Sequence, residues 1–97
     1  MAGLAKRAFS LPLPKRLVRQ WKVKIRDKER LEQPHVTILH KTSAWRLGLR
    51  DRRFLDAANH WNEIPTDLQA LIEANWTVLC NAWDAMYPDN AVVPEER

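Results

Sequence analysis

The stretch Gln20-Trp-Lys-Val-Lys-Ile-Arg26 decides the fold, because apolar and cationic residues alternate along it. Its apolar members are Trp21, Val23 and Ile25, and its cationic members are Lys22, Lys24 and Arg26. Successive side chains of a β-strand point to opposite faces of a sheet, so this pattern predicts a strand with one buried face. The other face of that strand is then wholly cationic.

Two further strands follow from the same reasoning. Val36-Thr-Ile38 predicts a short second strand, and residues 45–50 repeat the alternation with Trp45, Leu47 and Leu49 on the apolar side. Lys41-Thr-Ser-Ala44 lies between these segments and predicts the turn of a hairpin. Together the three segments predict a three-stranded antiparallel sheet.

The second half of the chain predicts one long helix. Thr66-Asp-Leu-Gln69 has the spacing of a capping box, and apolar residues recur at helical intervals from Asp67 to Met86. Pro88 ends this segment. The apolar arc consists of Leu68, Leu71, Ile72, Trp76, Leu79, Ala82, Trp83 and Met86. The predicted fold class is therefore α+β, with a three-stranded antiparallel sheet packed on one long C-terminal helix.

The chain has 97 residues, which is enough for one compact domain. We predict a basic N-terminal arm and linker over residues 1–15, a single α+β domain over 16–88 and an exposed tail over 89–97. The arm is predicted because Pro12 and Pro14 interrupt regular structure. The single cysteine, Cys80, favours a reducing, cytoplasmic location, and no apolar run reaches the roughly 18 residues of a membrane span.

Charge is distributed unevenly along the chain. Residues 1–55 contain 15 of the 16 Lys and Arg but only four acids, a net charge of +11. Residues 56–97 contain one Arg and eight acids, a net charge of −7. A concentrated positive field attracts polyanions, so the distribution points to a binding partner rather than to a reaction.

The outward face of the predicted sheet gathers cations suited to a phosphate backbone. The predicted nucleic-acid-binding residues are Lys22, Lys24, Arg26, Lys41, Arg46 and Arg50. Several neutralised phosphates give affinity through counterion release. The sequence therefore favours a nucleic-acid-binding module over an enzyme. A protein-interaction module remains open, including a homodimer in which an acidic helix face meets a basic sheet.

A third hypothesis is a ribonuclease that needs no metal. His35 follows Pro34 at the start of a strand and is expected on the cationic face, where it could act as a general acid or base. The candidates for a second proton-transfer group are His40 and His60. The spacing of the three histidines and Cys80 matches no compact ligand pattern, so neither a metal nor another cofactor is predicted. No small-molecule substrate is indicated.

The run Pro34-His35-Val36-Thr-Ile38, a Trp-bearing strand and a helix with Leu79 and Trp83 near its end resemble a known group of small proteins. These are bacterial proteins of unknown function encoded near toxin–antitoxin genes, in which a Pro-Pro-His-x-His run enters the hairpin. Gln33 and Thr37 stand here at the positions of the first proline and the second histidine. The resemblance implies a bacterial, toxin–antitoxin-associated module.

Overall fold

The computed structural model describes residues 8–27, 29 and 31–93. Its elements follow in the order β1 (Phe9–Ser10), α1 (Lys15–Val18), β2 (Trp21–Ile25), β3 (His35–His40), β4 (Ser43–Gly48), α2 (Thr66–Ala74) and α3 (Trp76–Met86), with short 3₁₀ helices at Trp61–Glu63 and Pro88–Asn90. The fold is α+β, as predicted. Among the described residues, no helix has both the length and the apolar character that a membrane crossing needs.

The sheet has four antiparallel strands in the order β1-β2-β3-β4, rather than the predicted three. The additional strand lies in the predicted arm, where Phe9 pairs with Ile25. Leu11 is buried and its N–H donates to Val23 O at 2.9 Å. A two-residue strand is too short to show alternation, and the prolines that follow it suggested a linker. The pairing of β1 with β2 ends before those prolines, so the short strand and the prolines occur in one segment without conflict.

The hairpin turn is tighter than predicted. His40 pairs with Ser43, so the turn consists of Lys41 and Thr42 alone and β4 begins earlier than expected. Lys41 has a φ of 56°, in the left-handed region that glycine and asparagine adopt most readily. A two-residue hairpin loop requires such a conformation, and here a lysine provides it.

The predicted long helix is two helices, because Asn75 interrupts it with φ −110° and ψ 20°. Its side-chain amide donates to Leu71 O at 2.8 Å and competes with the backbone bonds of the helix. The capping-box prediction is also wrong. Pro65 takes the N-cap position, and Gln69 Nε2 donates instead to Ile64 O at 2.8 Å.

The core lies between the helices and one face of the sheet, which we call the core face. Its fully buried helix residues are Leu68, Ile72, Leu79 and Trp83, all from the predicted apolar arc. The predicted sheet residues Val23, Ile25, Val36, Ile38 and Leu47 meet them. Inward parity was therefore predicted correctly even where the ends of elements were not.

The segment after α3 packs onto the domain. Trp83 Nε1 donates to Asn90 O at 2.7 Å, and Val92 is only 3% exposed. This part of the predicted exposed tail is therefore held in place. Residues 94–97, like residues 1–7 of the predicted arm, lie outside the described residues.

Candidate functional site

The opposite side of the sheet, the outer face, carries several of the predicted phosphate-binding cations. Lys24 pairs with Thr37, and Thr37 pairs with Arg46, so these three residues form one row across three strands. Lys22 lies in the next row, opposite Leu39. Lys22, Lys24 and Arg46 therefore lie on the face of the sheet that their alternation with apolar residues predicts. Whether each cation is available to a ligand depends on its partners.

Arg46 is already bound to acids. Its Nη2 and Nε lie 2.9 and 3.2 Å from the two carboxylate oxygens of Asp56. Its Nη1 lies 3.7 Å from Glu32 Oε1. The hydrogen bonds from Arg46 lower the pKa of Asp56, and those to Asp56 raise the pKa of Arg46. The guanidinium fork is therefore occupied within the protein.

Arg50 is likewise engaged, and it lies just beyond β4 rather than on it. Its Nε donates to Val92 O at 2.7 Å, and its Nη2 donates to Ala91 O at 2.7 Å. It anchors the C-terminal segment. Arg26 is exposed at the end of β2, and its carbonyl accepts a hydrogen bond from the Tyr87 hydroxyl.

The remaining cations surround two adjoining depressions. The larger, of about 340 Å³, is lined in part by Arg19, Lys22 and Lys41. The smaller, of about 210 Å³, is lined in part by Lys22 and Lys24. Both include Val18 and Lys22, and among the described residues no acidic side chain lines either one. We call Arg19, Lys22, Lys24 and Lys41 the basic edge.

Sequence reasoning missed Arg19 as a member of this edge. The residue follows α1 and precedes β2, so it has no strand parity from which its direction could be read. The hydrogen bond from Gln20 N to Leu17 O, at 3.1 Å, closes the turn that brings Arg19 beside Lys22. The only indication in the sequence was that Arg19 is a basic residue close to a basic strand.

His35 does not lie on an open face, contrary to our expectation. Its side chain is 0% exposed, and its neighbour in the same parity, Thr37, is 2% exposed. The ring centroid of Trp83 is 5.6 Å from that of His35. Glu29 and Glu32 contact the imidazole from the loop before β3. His35 does begin a strand, as predicted, but tertiary packing covers its side chain.

The other two histidines do not join His35. His40 stacks on Trp21 with ring centroids 4.3 Å apart, on the core face as parity predicts. It lies five residues along β3, a separation of about 16 Å at the rise of a strand. His60 caps the 3₁₀ helix at Trp61–Glu63. No contact among the described residues supplies His35 with a second histidine.

Two carboxylates face His35 instead, and sequence reasoning did not single them out. His35 Nε2 lies 3.3 Å from Glu29 Oε2 and 3.9 Å from Glu32 Oε1. Burial raises the pKa of Glu29, although His35 acts in the opposite direction. We call Glu29, Glu32 and His35 the buried-histidine cluster. Spacing of three residues between successive members was the only sequence signal for it.

Tyr87 fixes the loop that carries the two carboxylates. Glu29 N–H donates to the Tyr87 hydroxyl oxygen at 3.1 Å, while the same hydroxyl donates to Arg26 O. Burial raises the pKa of Tyr87, so its hydroxyl keeps its proton at neutral pH. The end of α3 thereby holds the start and the middle of the loop between β2 and β3.

Comparison of the chain with protein-family models, curated proteins and solved structures finds no match. The resemblance to proteins encoded near toxin–antitoxin genes therefore stays a hypothesis.

Proposed function

We propose that this protein binds the phosphate backbone of nucleic acid through its basic edge. The observation that carries the proposal is the lining of the two depressions, where four cations occur without an acidic side chain among the described residues. Uncompensated Lys and Arg side chains bind phosphates by releasing condensed counterions. A third depression, of about 350 Å³, is lined by Arg52, Trp61, Gln69 and Glu73 and so includes an acid beside its cation.

The arrangement suits an extended polyanion better than a single phosphate. Lys22 borders both depressions, with Arg19 and Lys41 on one side and Lys24 on the other. Lys22 and Lys24 share a face of β2 and are separated by about 6.6 Å along the strand. A chain of phosphates could contact these cations in succession, whereas one phosphate could contact only some of them.

The conformation of Lys41 supports the same proposal. A non-glycine residue at positive φ costs free energy, and such residues cluster at functional sites. Lys41 keeps this conformation at φ 56° while its side chain borders the larger depression. Glycine or asparagine would satisfy the turn more easily but would remove the cation.

The proposal narrows the predicted set of nucleic-acid-binding residues. Lys22, Lys24 and Lys41 remain, and Arg19 is added. Arg26 lines neither depression, and Arg46 and Arg50 act within the protein. Trp21, the aromatic residue in the lining, is stacked against His40 and Trp45. Base stacking on it would require that packing to open, so backbone contacts are favoured over sequence-specific reading.

The alternatives have less support. Cleavage of RNA by His35 would require a substrate to reach a fully buried imidazole. A homodimer built on opposite charges would lose much of its attraction, because the Arg46–Asp56 and Arg52–Glu73 pairs join those charges within one chain. Association with a toxin–antitoxin locus rests on the sequence resemblance alone.

Charge reversal at the basic edge tests the proposal. We expect Lys22→Glu and Lys41→Glu each to weaken binding to labelled single-stranded RNA, duplex RNA or duplex DNA by about tenfold at low salt, the contribution of one phosphate contact. Fluorescence anisotropy measures the affinity, and circular dichroism verifies folding. Arg53→Glu is the matched control, since Arg53 is exposed and lines neither depression.

Arg53→Glu should change the affinity by less than about twofold, because it alters net charge without removing a contact. Absence of binding to all three nucleic acids at low salt would contradict the proposal. Equal losses in Lys22→Glu and Arg53→Glu would also contradict it, since they would show a response to net charge alone.

A further inference from the structure

His35 presents a buried nitrogen without a hydrogen-bond partner. Its Nδ1 donates to the backbone oxygen of Gln33 at 2.8 Å, which places the proton of the neutral ring on Nδ1. Nε2 then carries a lone pair. This atom is fully buried, and no described group hydrogen-bonds to it. Buried polar atoms are nearly always satisfied, so such an atom calls for an explanation.

Two carboxylates lie close to this nitrogen. Glu29 Oε2 lies 3.3 Å away and Glu32 Oε1 lies 3.9 Å away. A neutral imidazole nitrogen and a carboxylate oxygen are both acceptors, so a proton or a cation must lie between them. A proton could join only two of the three groups, whereas a metal cation could bind all three.

We propose that Glu29, Glu32 and His35 bind a divalent transition-metal cation of the Zn²⁺ class. One ligand atom from each residue lies within 4.8 Å of the others. In a tetrahedral zinc site with bonds of about 2.1 Å, ligand atoms are about 3.4 Å apart. The His35–Glu29 distance already fits, and a small movement of the half-exposed Glu32 side chain brings in the third ligand.

The ligand types and their surroundings agree with this choice of metal. Imidazole suits Zn²⁺ and related cations, while Mg²⁺ and Ca²⁺ prefer oxygen ligands alone. A backbone carbonyl on Nδ1 is a common way in which proteins orient a metal-binding histidine. Glu32 is held by Arg46 at 3.7 Å, and the Glu29 backbone is held by Tyr87. The Arg26 N–H also donates to Glu29 Oε1 at 3.3 Å, so both carboxylates are positioned from outside the cluster.

The cluster is also open to solvent at one side. The Glu32 side chain is 45% exposed, while those of Glu29 and His35 are 11% and 0% exposed. A cation can enter past Glu32, and water can complete its coordination from the same direction. Binding would tie the β2–β3 loop to the first residue of β3. The expected role is therefore at least structural.

Metal titration of the untagged, chelator-treated protein tests this site. We expect ZnCl₂ to raise the melting temperature, Co²⁺ to give visible d–d absorption, and Mg²⁺ at the same concentration to do neither. In ¹⁵N NMR spectra, Zn²⁺ should shift the resonance of His35 Nε2 much more than that of Nδ1. Calorimetry then gives the affinity of each variant.

The informative variants are Glu32→Gln and Glu29→Gln, which preserve side-chain size. Each should weaken Zn²⁺ binding by at least about tenfold, since each removes a charged ligand. Glu73→Gln is the matched control, because Glu73 lies on α2 and pairs with Arg52. It should bind Zn²⁺ as the wild type does.

Glu32→Gln alters a half-exposed side chain, so it is expected to fold even if Glu29→Gln does not. The proposal is overturned if Zn²⁺ and Co²⁺ produce no response in the wild type. It is also overturned if Glu32→Gln binds Zn²⁺ as tightly as the wild type. A Zn²⁺ site without nucleic-acid binding, or the reverse, separates this proposal from that of the basic edge.

Discussion

The lysines of the basic edge and four arginines of the basic half of the chain are used in opposite ways. Lys22, Lys24 and Lys41 border open depressions. Arg16, Arg46, Arg50 and Arg52 each bond to a carboxylate or a backbone carbonyl. The planar guanidinium suits fixed, bidentate contacts, whereas the lysine ammonium is a compact charge on a flexible stem. These four arginines are therefore fixed within the protein, while the three lysines and Arg19 of the basic edge border open space.

The charge asymmetry of the sequence has a corresponding explanation. Three ion pairs, Arg16–Asp67, Arg46–Asp56 and Arg52–Glu73, join the basic half to the acidic half. Part of the positive field is thus neutralised within the chain. The basic edge retains four cations, and no described acid is among the residues that line its depressions.

The largest effect that this comparison predicts is a loss of stability when Arg50 is replaced. Arg50→Ala removes two charge-assisted hydrogen bonds to the carbonyls of Ala91 and Val92. Because hydrogen bonds to charged groups contribute more than neutral ones, we expect the free energy of unfolding to fall by roughly 2 kcal/mol. Denaturant titration measures it.

The matched change at a lysine of the basic edge is Lys22→Ala, which should alter the free energy of unfolding by less than about 0.5 kcal/mol. Arg50→Lys should recover only part of the loss, because an ammonium lacks the guanidinium fork. Equal destabilisation by Arg50→Ala and Lys22→Ala would show that the two kinds of cation do not differ.

A smaller effect, with opposite signs for stability and binding, is expected at Lys41. Lys41→Asn places a residue that tolerates positive φ in the turn. We expect the free energy of unfolding to rise by about 0.5 kcal/mol, a fraction of the left-handed penalty. Affinity for nucleic acid should fall, because a cation of the larger depression is lost.

Thermal melts and anisotropy on the same preparation check both effects of Lys41→Asn. Thr42→Asn is the control, since Thr42 is the other residue of the turn and carries no charge. It should leave the affinity unchanged. Loss of both stability and binding in Lys41→Asn would mean that the lysine is held for structural reasons.

Sequence reasoning succeeded where the physical signal is local. Alternation in β2 identified the buried side chains of a strand, and helical spacing identified Leu68, Ile72, Leu79 and Trp83 as core residues. It failed where a competing contact decides the outcome. Asn75 divides the helix through a side-chain hydrogen bond. β1 is too short to show a period, yet it pairs with β2.

At the candidate site, too, local signals were predicted correctly and tertiary contacts were not. Parity brought Lys24 and Arg46 to one row of the sheet, but it carries no information about the Asp56 carboxylate that binds Arg46. Nor could it show that Glu29 and Glu32 fold over His35. These contacts depend on loops, whose path is set by tertiary packing such as that of Tyr87.

The most direct test of the central claim compares Lys24 and Arg46, which flank the same residue of β3. The measurement is the slope of log K against log salt for single-stranded RNA, a slope that counts phosphate contacts. Lys24→Gln should make the slope shallower by about 0.7, the value of one contact to a single strand. Arg53→Gln controls for the loss of one charge.

Arg46→Gln combined with Asp56→Asn removes the internal ion pair without changing net charge, and it should leave the slope unchanged. That result would show that Lys24 of the basic edge binds phosphate while Arg46 acts within the protein. A slope reduced by the Arg46 and Asp56 double variant as much as by Lys24→Gln would contradict it.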